Sequence, residues 1–325
     1  MKDILVSAPY MLPELDRLLP VLKAFDLNLI VPEVHERLSE EEILAYAGDF
    51  DGTICGDDRY TRRVIEACQP RLRVISKWGT GIDSIDQAAA ADFGVMVGNT
   101  PNAFTVPVSE SVLGYMLSFA RNIPWLDDAM KASEWQKING KTLSECTLGV
   151  VGVGNVGQAV LRRARGFGME LLGNDIVDVA PDFLLENGVE MTSLQDLLSR
   201  SDFISINCSL NPTSQHLINA ETLSWVKPGA ILINTARGPI IDQPALVKAL
   251  QEGKLGGAGM DVFEDEPLPA NSPLLKMNNV LLSPHNTNSS PRFWERVHWN
   301  TIKNLLIGLE IPTDRLAALK AEYGG

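Results

Sequence analysis

TLGVVGVGNVGQAVLRRARGFG, residues 147–168, joins an apolar run to a helix-compatible stretch through three glycines spaced G-x-G-x-x-G. Strand, glycine turn and helix in that order are what a dinucleotide-binding βαβ unit requires. Gly152 permits the tight turn, Gly154 lets the backbone approach a pyrophosphate, and Gly157 lets the helix pack closely on its strand. The amino terminus of the helix then faces the phosphates. Taken alone, the motif is shared with methyltransferases and with plain turns. Asp175, closing the next apolar run ELLGND, narrows the choice. An acid there can accept hydrogen bonds from an adenosine ribose and repels a 2'-phosphate, which favours NAD over NADP. The competing reading of Asp175 is a solvated aspartate ending a strand.

Outward from this stretch, short apolar runs alternate with amphipathic segments, the pattern of βα units around parallel sheets. LGVVG, ELLGN, FISIN, AILIN, GAGMDVF and VLLSP read as strands of one body, and ILVSA, LNLIV, GTICG, VISKW and VMVGN as strands of another. The fold class is therefore α/β, with two Rossmann-like or flavodoxin-like doubly wound parallel-sheet domains and a cleft between them. A helix over Val108 to Asn122, stopped by Pro124, carries the chain from one body to the other. The serine of SEEEILAYA caps a helix, and Asp242, Pro244 and Gly253 mark the start and end of another. RFWERVHWNTIKNLLIGLE places Val297, Ile302, Leu305, Leu306 and Leu309 on or near one helical face. This closing helix is expected to return to the first domain, which then comprises 1–99 plus 291–325, with 100–290 as the nucleotide-binding domain. Phe293, Trp294 and Trp299 read as packing residues rather than a ligand cage.

A chain of 325 residues with 45% hydrophobic content can fill two cores without staples. Its four cysteines, Cys55, Cys68, Cys146 and Cys208, are scattered without a CxxC pair, which argues against a zinc site or a disulfide framework and for a reducing, cytoplasmic setting. No metal is expected. The amino terminus reads as a first strand rather than a signal peptide. No run approaches the roughly 20 apolar residues that span a bilayer. A net charge of −13 without a basic stripe argues against nucleic acid as a partner, and an anionic small substrate would need a local cationic pocket.

Ligands of open α/β sheets bind beyond the carboxyl ends of the strands. AILINTARG places Arg237 there, GMDVFEDEP places Glu266, and VLLSPH places His285. Individually these read equally well as a surface cation, a member of an acidic run with Glu264 and Asp265, and a structural histidine. Jointly, a guanidinium, a carboxylate and an imidazole beside a nicotinamide are what reduction of a 2-oxo acid requires. The imidazolium of His285 protonates the developing alkoxide. Glu266 fixes its tautomer and favours the charged form. Arg237 holds the substrate carboxylate with paired hydrogen bonds and polarises the carbonyl.

The segments VISKWGTGIDSID, ARNIP, GVGNVG, KPGAILINTARGPIIDQPALVKAL, GAGMDVFEDEP and LLSPH resemble the D-isomer-specific 2-hydroxyacid dehydrogenases, phosphoglycerate dehydrogenase included. The resemblance implies a two-domain enzyme, usually dimeric, that acts on a small 2-oxo or 2-hydroxy acid with NAD and uses Arg237, Glu266 and His285 as its catalytic trio. It further implies that backbone amides of Thr80 and Gly81 hold the substrate carboxylate, with Lys77 nearby, and that Asp261 contacts the nicotinamide amide. Thr105, Asn155, Val156, Cys208, Ser209, Thr235 and Ala236 fall where family members touch the cofactor. Lys77 is read either as a contact to a phosphate or second carboxylate on the substrate or as an exposed lysine without a ligand. Phe104, Ser209 and Asn288 depart from the residues usual at their positions, so no familiar member's substrate transfers safely. His35, His216 and His298 match no motif and read as structural or exposed. In dimer formation, Trp125 and Trp135 are the candidate anchors. A different class, an NADH-sensing regulator or corepressor on the same fold, shares the pattern. A methyltransferase reading leaves the three strand-end residues unexplained.

Overall fold

The computed structural model describes residues 1–324. The chain divides into two compact units, Met1–Phe104 together with the chain from Ser290 onward, and Thr105–Ser289.

Five parallel strands form the sheet of the first unit: β1 (Lys2–Val6), β2 (Leu27–Ile30), β3 (Gly52–Cys55), β4 (Val74–Lys77) and β5 (Met96–Gly98). Their order, β2-β1-β3-β4-β5, is the flavodoxin-like one. Every residue of β3 and β4 is buried, as a parallel sheet covered on both faces demands. One cover is the helix Pro291–Gly308, whose Val297, Ile302, Leu305 and Leu306 are fully buried. Polar bonds fix it on the sheet. The Ser76 hydroxyl donates to the Thr301 carbonyl at 2.8 Å, and the Asn304 amide donates to the Asn99 carbonyl at 3.0 Å. The helix Glu40–Leu44 opens on a reciprocal cap between Ser39 and Glu42.

Seven parallel strands build the second unit: β6 (Thr147–Val151), β7 (Glu170–Asn174), β8 (Val189–Met191), β9 (Phe203–Ile206), β10 (Ala230–Asn234), β11 (Leu255–Met260) and β12 (Val280–Leu282). In the order β12-β11-β10-β9-β6-β7-β8 the chain reverses direction of travel between β6 and β9. This is the dinucleotide-fold arrangement, with the glycine turn leaving β6 at the switch point. Sequence reading finds six of these strands. It misses β8, a three-residue strand with a single buried side chain, too short to show a period. The connecting helix also differs from expectation, running Thr105–Arg121. Asn122 then adopts a left-handed conformation and Pro124 opens a second helix, Ile123–Lys131, so this proline starts an element as well as following one.

Candidate active site

The three glycines after β6 differ in what surrounds them. Gly152 has φ +90°, and an added Cβ would lie 2.4 Å from the amide nitrogen of Cys208, so only glycine makes this turn. A Cβ on Gly157 would lie 2.0 Å from the Gly152 carbonyl oxygen. Around Gly154, by contrast, nothing stands within 4 Å, and both Gly154 and Asn155 are exposed at the start of the helix Asn155–Arg165. The backbone is thus open where a pyrophosphate would approach. Asp175 ties the end of β7 to this loop, its carboxylate accepting from the amides of Val153 at 2.6 Å and Val177 at 3.0 Å. Each oxygen keeps a second lone pair for a ribose hydroxyl.

Two buried polar atoms in the same unit, the side-chain oxygens of Asn207 and Thr235, have no hydrogen-bond partner. Such atoms cost about 1–3 kcal/mol each when left unmade. They sit just beyond β9 and β10, at the ligand-binding end of the sheet. Together with the Gly154 opening they fit a bound dinucleotide. Half-buried Cys208 follows Asn207, and burial pushes its thiol up to about 11, so it meets a ligand as a neutral group. Ser209 is exposed, whereas Val156, Thr105 and Ala236 are half-buried.

His285 and Glu266 meet directly. Nδ1 of His285 lies 3.0 Å from Oε2 of Glu266, and the other carboxylate oxygen accepts from the Phe263 amide at 2.9 Å. Their side chains are 18% and 12% exposed, so solvent screens the pair weakly. A carboxylate only accepts, which places the Nδ1 proton between the two groups and leaves Nε2 as the working nitrogen. The neighbouring acid Glu264 belongs elsewhere, bonded to Nε2 of His216 at 2.8 Å.

The backbone that presents His285 is itself held. His285 has φ +50°, uncommon for a side chain of this size, and its amide donates to the Asp261 carbonyl at 2.8 Å. The buried Asp261 carboxylate accepts from the amide of Asn286 at 2.8 Å and from the amide and hydroxyl of Thr287. In this structure Asp261 shapes the histidine turn. Arg237 sits on a comparable device: the fully buried Asn234 accepts from the Ala236 amide at 3.0 Å and donates to the Arg237 carbonyl at 2.9 Å. Gly238 lets this turn press on the Glu266 loop, since a Cβ there would lie 1.8 Å from the Phe263 carbonyl oxygen. Sequence reading omits Asn207 and Asn234, although both close an apolar run as "IN" and the strand-end rule applied to Arg237 flags them equally.

In the first unit, Thr80 is exposed and Gly81 half-buried. The Thr80 hydroxyl donates to the Thr100 carbonyl at 2.9 Å, the Thr100 amide to the Gly79 carbonyl at 2.7 Å, and the Asn99 side chain to the Thr80 carbonyl at 2.6 Å. The loop is therefore anchored on its own unit. Of the two readings of Lys77, the exposed lysine is corrected: its side chain is 5% exposed, and Nζ is paired with Asp57 at 2.8 Å.

Residues 113–287 match the family model described as D-isomer specific 2-hydroxyacid dehydrogenase, NAD binding domain. A glyoxylate reductase of Korarchaeum cryptofilum is 39% identical over 289 residues, covering 87% of this chain and 86% of that protein. The chain belongs to the D-isomer specific 2-hydroxyacid dehydrogenase family. NAD is the cofactor of the family's nucleotide-binding domain, which here holds Gly152–Gly157, Asp175, Arg237, Glu266 and His285. A D-3-phosphoglycerate dehydrogenase of Methanocaldococcus jannaschii is 38% identical over 305 residues, covering 89% of this chain but 57% of that protein, so the chain spans little more than half of that relative's length. Among solved structures, a D-lactate dehydrogenase of Aquifex aeolicus, complexed with NAD and lactic acid, is similar with TM-score 0.85, 28% identity and 95% coverage of each chain. Among the described residues, no helix is long and apolar enough to cross a membrane, and no group of three or more His, Cys, Asp or Glu could hold a metal ion.

Proposed function

We propose that the protein is an NAD-dependent oxidoreductase that interconverts a 2-oxo acid and its D-2-hydroxy acid. The observation that carries this reading is the Glu266–His285 pair, 3.0 Å apart and anchored by the Phe263 amide, in a unit with a dinucleotide glycine turn. NADH, when bound, supplies the hydride. His285 gives its Nε2 proton to the carbonyl oxygen as that oxygen gains charge, and takes the proton back from the alcohol in oxidation. Glu266 holds the ring in one orientation and stabilises its charged form. Arg237 binds the substrate carboxylate and draws electron density from the carbonyl. One proton and one hydride enter for each 2-oxo acid reduced. Loss of NADH absorbance on addition of a 2-oxo acid tests the reading. A protein that binds NADH tightly and turns over none of a panel of such acids is instead the sensing regulator.

Asp175 leads us to propose a preference for NAD(H). Two unit charges 4 Å apart at an effective dielectric of 20 repel by about 4 kcal/mol, an upper bound at a half-exposed site. The wild type should therefore favour NADH over NADPH by about 10²-fold in kcat/KM, and Asp175→Ala should close most of that gap. Equal efficiencies of the wild type with the two cofactors would refute the assignment.

We also propose a homodimer working in a reducing, cytoplasmic setting, which suits the free cysteines. The segment after the connecting helix supports the dimer: Ile123, Met130 and Ile138 are 54%, 51% and 41% exposed, and Trp135 is 81% exposed. Trp125 is spent within the chain, its ring tilted against Phe119 at 5.3 Å between centroids and its Nε1 donating to the Asn278 carbonyl at 2.6 Å, so Trp135 is the remaining anchor. Sedimentation at micromolar concentration should give twice the 35.5 kDa chain mass, and Trp135→Glu should shift it towards the monomer. A wild-type monomer would count against the proposal.

A further inference from the structure

The run that follows the histidine, Asn286-Thr287-Asn288-Ser289, consists of small polar residues that cannot fill a core. Thr287 is buried all the same, at 7% exposure. Its hydroxyl donates to Oδ2 of Asp261, its amide reaches the same oxygen at 3.1 Å, and its carbonyl accepts from the Ser111 hydroxyl of the helix Thr105–Arg121 at 3.3 Å. Every polar group of the residue is thereby used.

Asp261 is a fixed platform for these bonds. It follows β11, is 1% exposed, and its amide donates to the Asn234 carbonyl at 3.0 Å, which ties it to the end of β10. Its own carbonyl takes the His285 amide at 2.8 Å, and its carboxylate takes the Asn286 amide at 2.8 Å. Residues 285–287 therefore wrap round one aspartate. The wrapping sustains the φ of +50° at His285, since a left-handed residue other than glycine persists only where its surroundings over-determine it. Any residue but proline brings an amide to such a turn, so the hydroxyl is what the Thr287 side chain adds. Valine has nearly the same shape, but it would leave a buried carboxylate oxygen with one donor fewer, and the turn would bear that loss.

From this arrangement we infer that Thr287 is a positioning residue for the proton transfer: acting through Asp261, its hydroxyl holds the backbone turn that aims His285. The inference rests on the acid–base reading of His285 above and deepens it. Glu266 orients the imidazole through Nδ1, whereas Thr287 sets the backbone from which the ring projects. The two are separate controls on one proton donor. Arg237 sits on the turn built by the Asn234 side chain, so substrate binding stays outside the reach of the Thr287 hydroxyl.

The test compares the full-length wild type with Thr287→Val and Thr287→Ser, using NADH and the 2-oxo acid that the wild type reduces fastest. Thr287→Val is expected to lower kcat about tenfold, the scale of a small misplacement of a reacting group, with KM for the acid held within about twofold. NADH should still bind stoichiometrically and with near wild-type affinity, which separates a misplaced histidine from a partly unfolded protein. Thr287→Ser keeps the hydroxyl and should restore kcat to within about twofold of the wild type. In NMR spectra of protein labelled with nitrogen-15 histidine, the His285 ring signals, identified by their loss in His285→Ala, should move in the valine variant and stay in the serine variant. Thr287→Ala gives the same comparison if the valine variant fails to fold. A valine variant with wild-type kcat and unmoved His285 signals overturns the inference and leaves the acid–base reading intact. So does a loss carried by KM or by NADH binding, or a serine variant as slow as the valine one. If the wild type reduces no acid, the parent reading falls, and the ring signals alone decide whether Thr287 places the imidazole.

Discussion

Replacing His285 with alanine is expected to lower kcat for 2-oxo acid reduction by about 10²- to 10⁴-fold, the range that general acid catalysis supplies. NADH affinity should stay nearly constant, because the glycine turn and Asp175 belong to other strand ends of the same sheet. The imidazole is placed for this task by two independent holds. Glu266 orients its ring through Nδ1, and the Asp261 carboxylate fixes the 286–287 backbone that follows it. Steady-state kinetics together with a fluorescence titration of NADH separates loss of chemistry from loss of cofactor. Near wild-type turnover in the alanine variant would return His285 to a structural role at the end of β12.

Arg237→Ala should be comparably severe, about 10²- to 10³-fold in kcat/KM, the effect of removing a preorganised donor aimed at developing negative charge. Both KM and kcat should suffer, since the guanidinium binds the carboxylate in the ground state and polarises the carbonyl on the way to the transition state. Arg237→Lys should recover only part of the loss. A lysine restores charge without the planar fork that matches a carboxylate. The turn built by Asn234 depends on the backbone of residues 236 and 237, so either substitution should leave it standing. A KM effect alone, with kcat untouched, would mean that Arg237 only binds.

Much of this was legible in the residues because parallel strands buried on both faces leave continuous apolar runs. TLGVV, ELLGN and AILIN coincide with β6, β7 and β10. The glycine roles were legible too, since a tight turn and a close helix approach each exclude a Cβ for a local reason. What stayed hidden depends on contacts distant in sequence. Trp78 and His298 pair across 220 positions, and no local pattern announces that the ring is a neutral acceptor. The burial of Lys77 is hidden for the same reason: the acid that permits it, Asp57, lies 20 residues away on another strand end. Within EDE, nothing local distinguishes Glu264 from Glu266. The fold does, sending one to His216 and the other to His285.

The central claim is that one imidazole, tuned by one carboxylate, carries the proton in both directions. It is tested most directly by the pH dependence of kcat for reduction and for oxidation, measured for the wild type and for Glu266→Gln. Reduction needs the imidazolium and oxidation needs the neutral ring, so reduction should fade as pH rises and oxidation as pH falls, both governed by the same group. Glutamine keeps the size of the side chain and removes the charge that stabilises the imidazolium. Both limbs should therefore move to lower pH in the variant, with reduction lost earlier as pH rises and oxidation retained further into acid. Limbs that stay where they are in the wild type, or that move in opposite directions, would contradict the account.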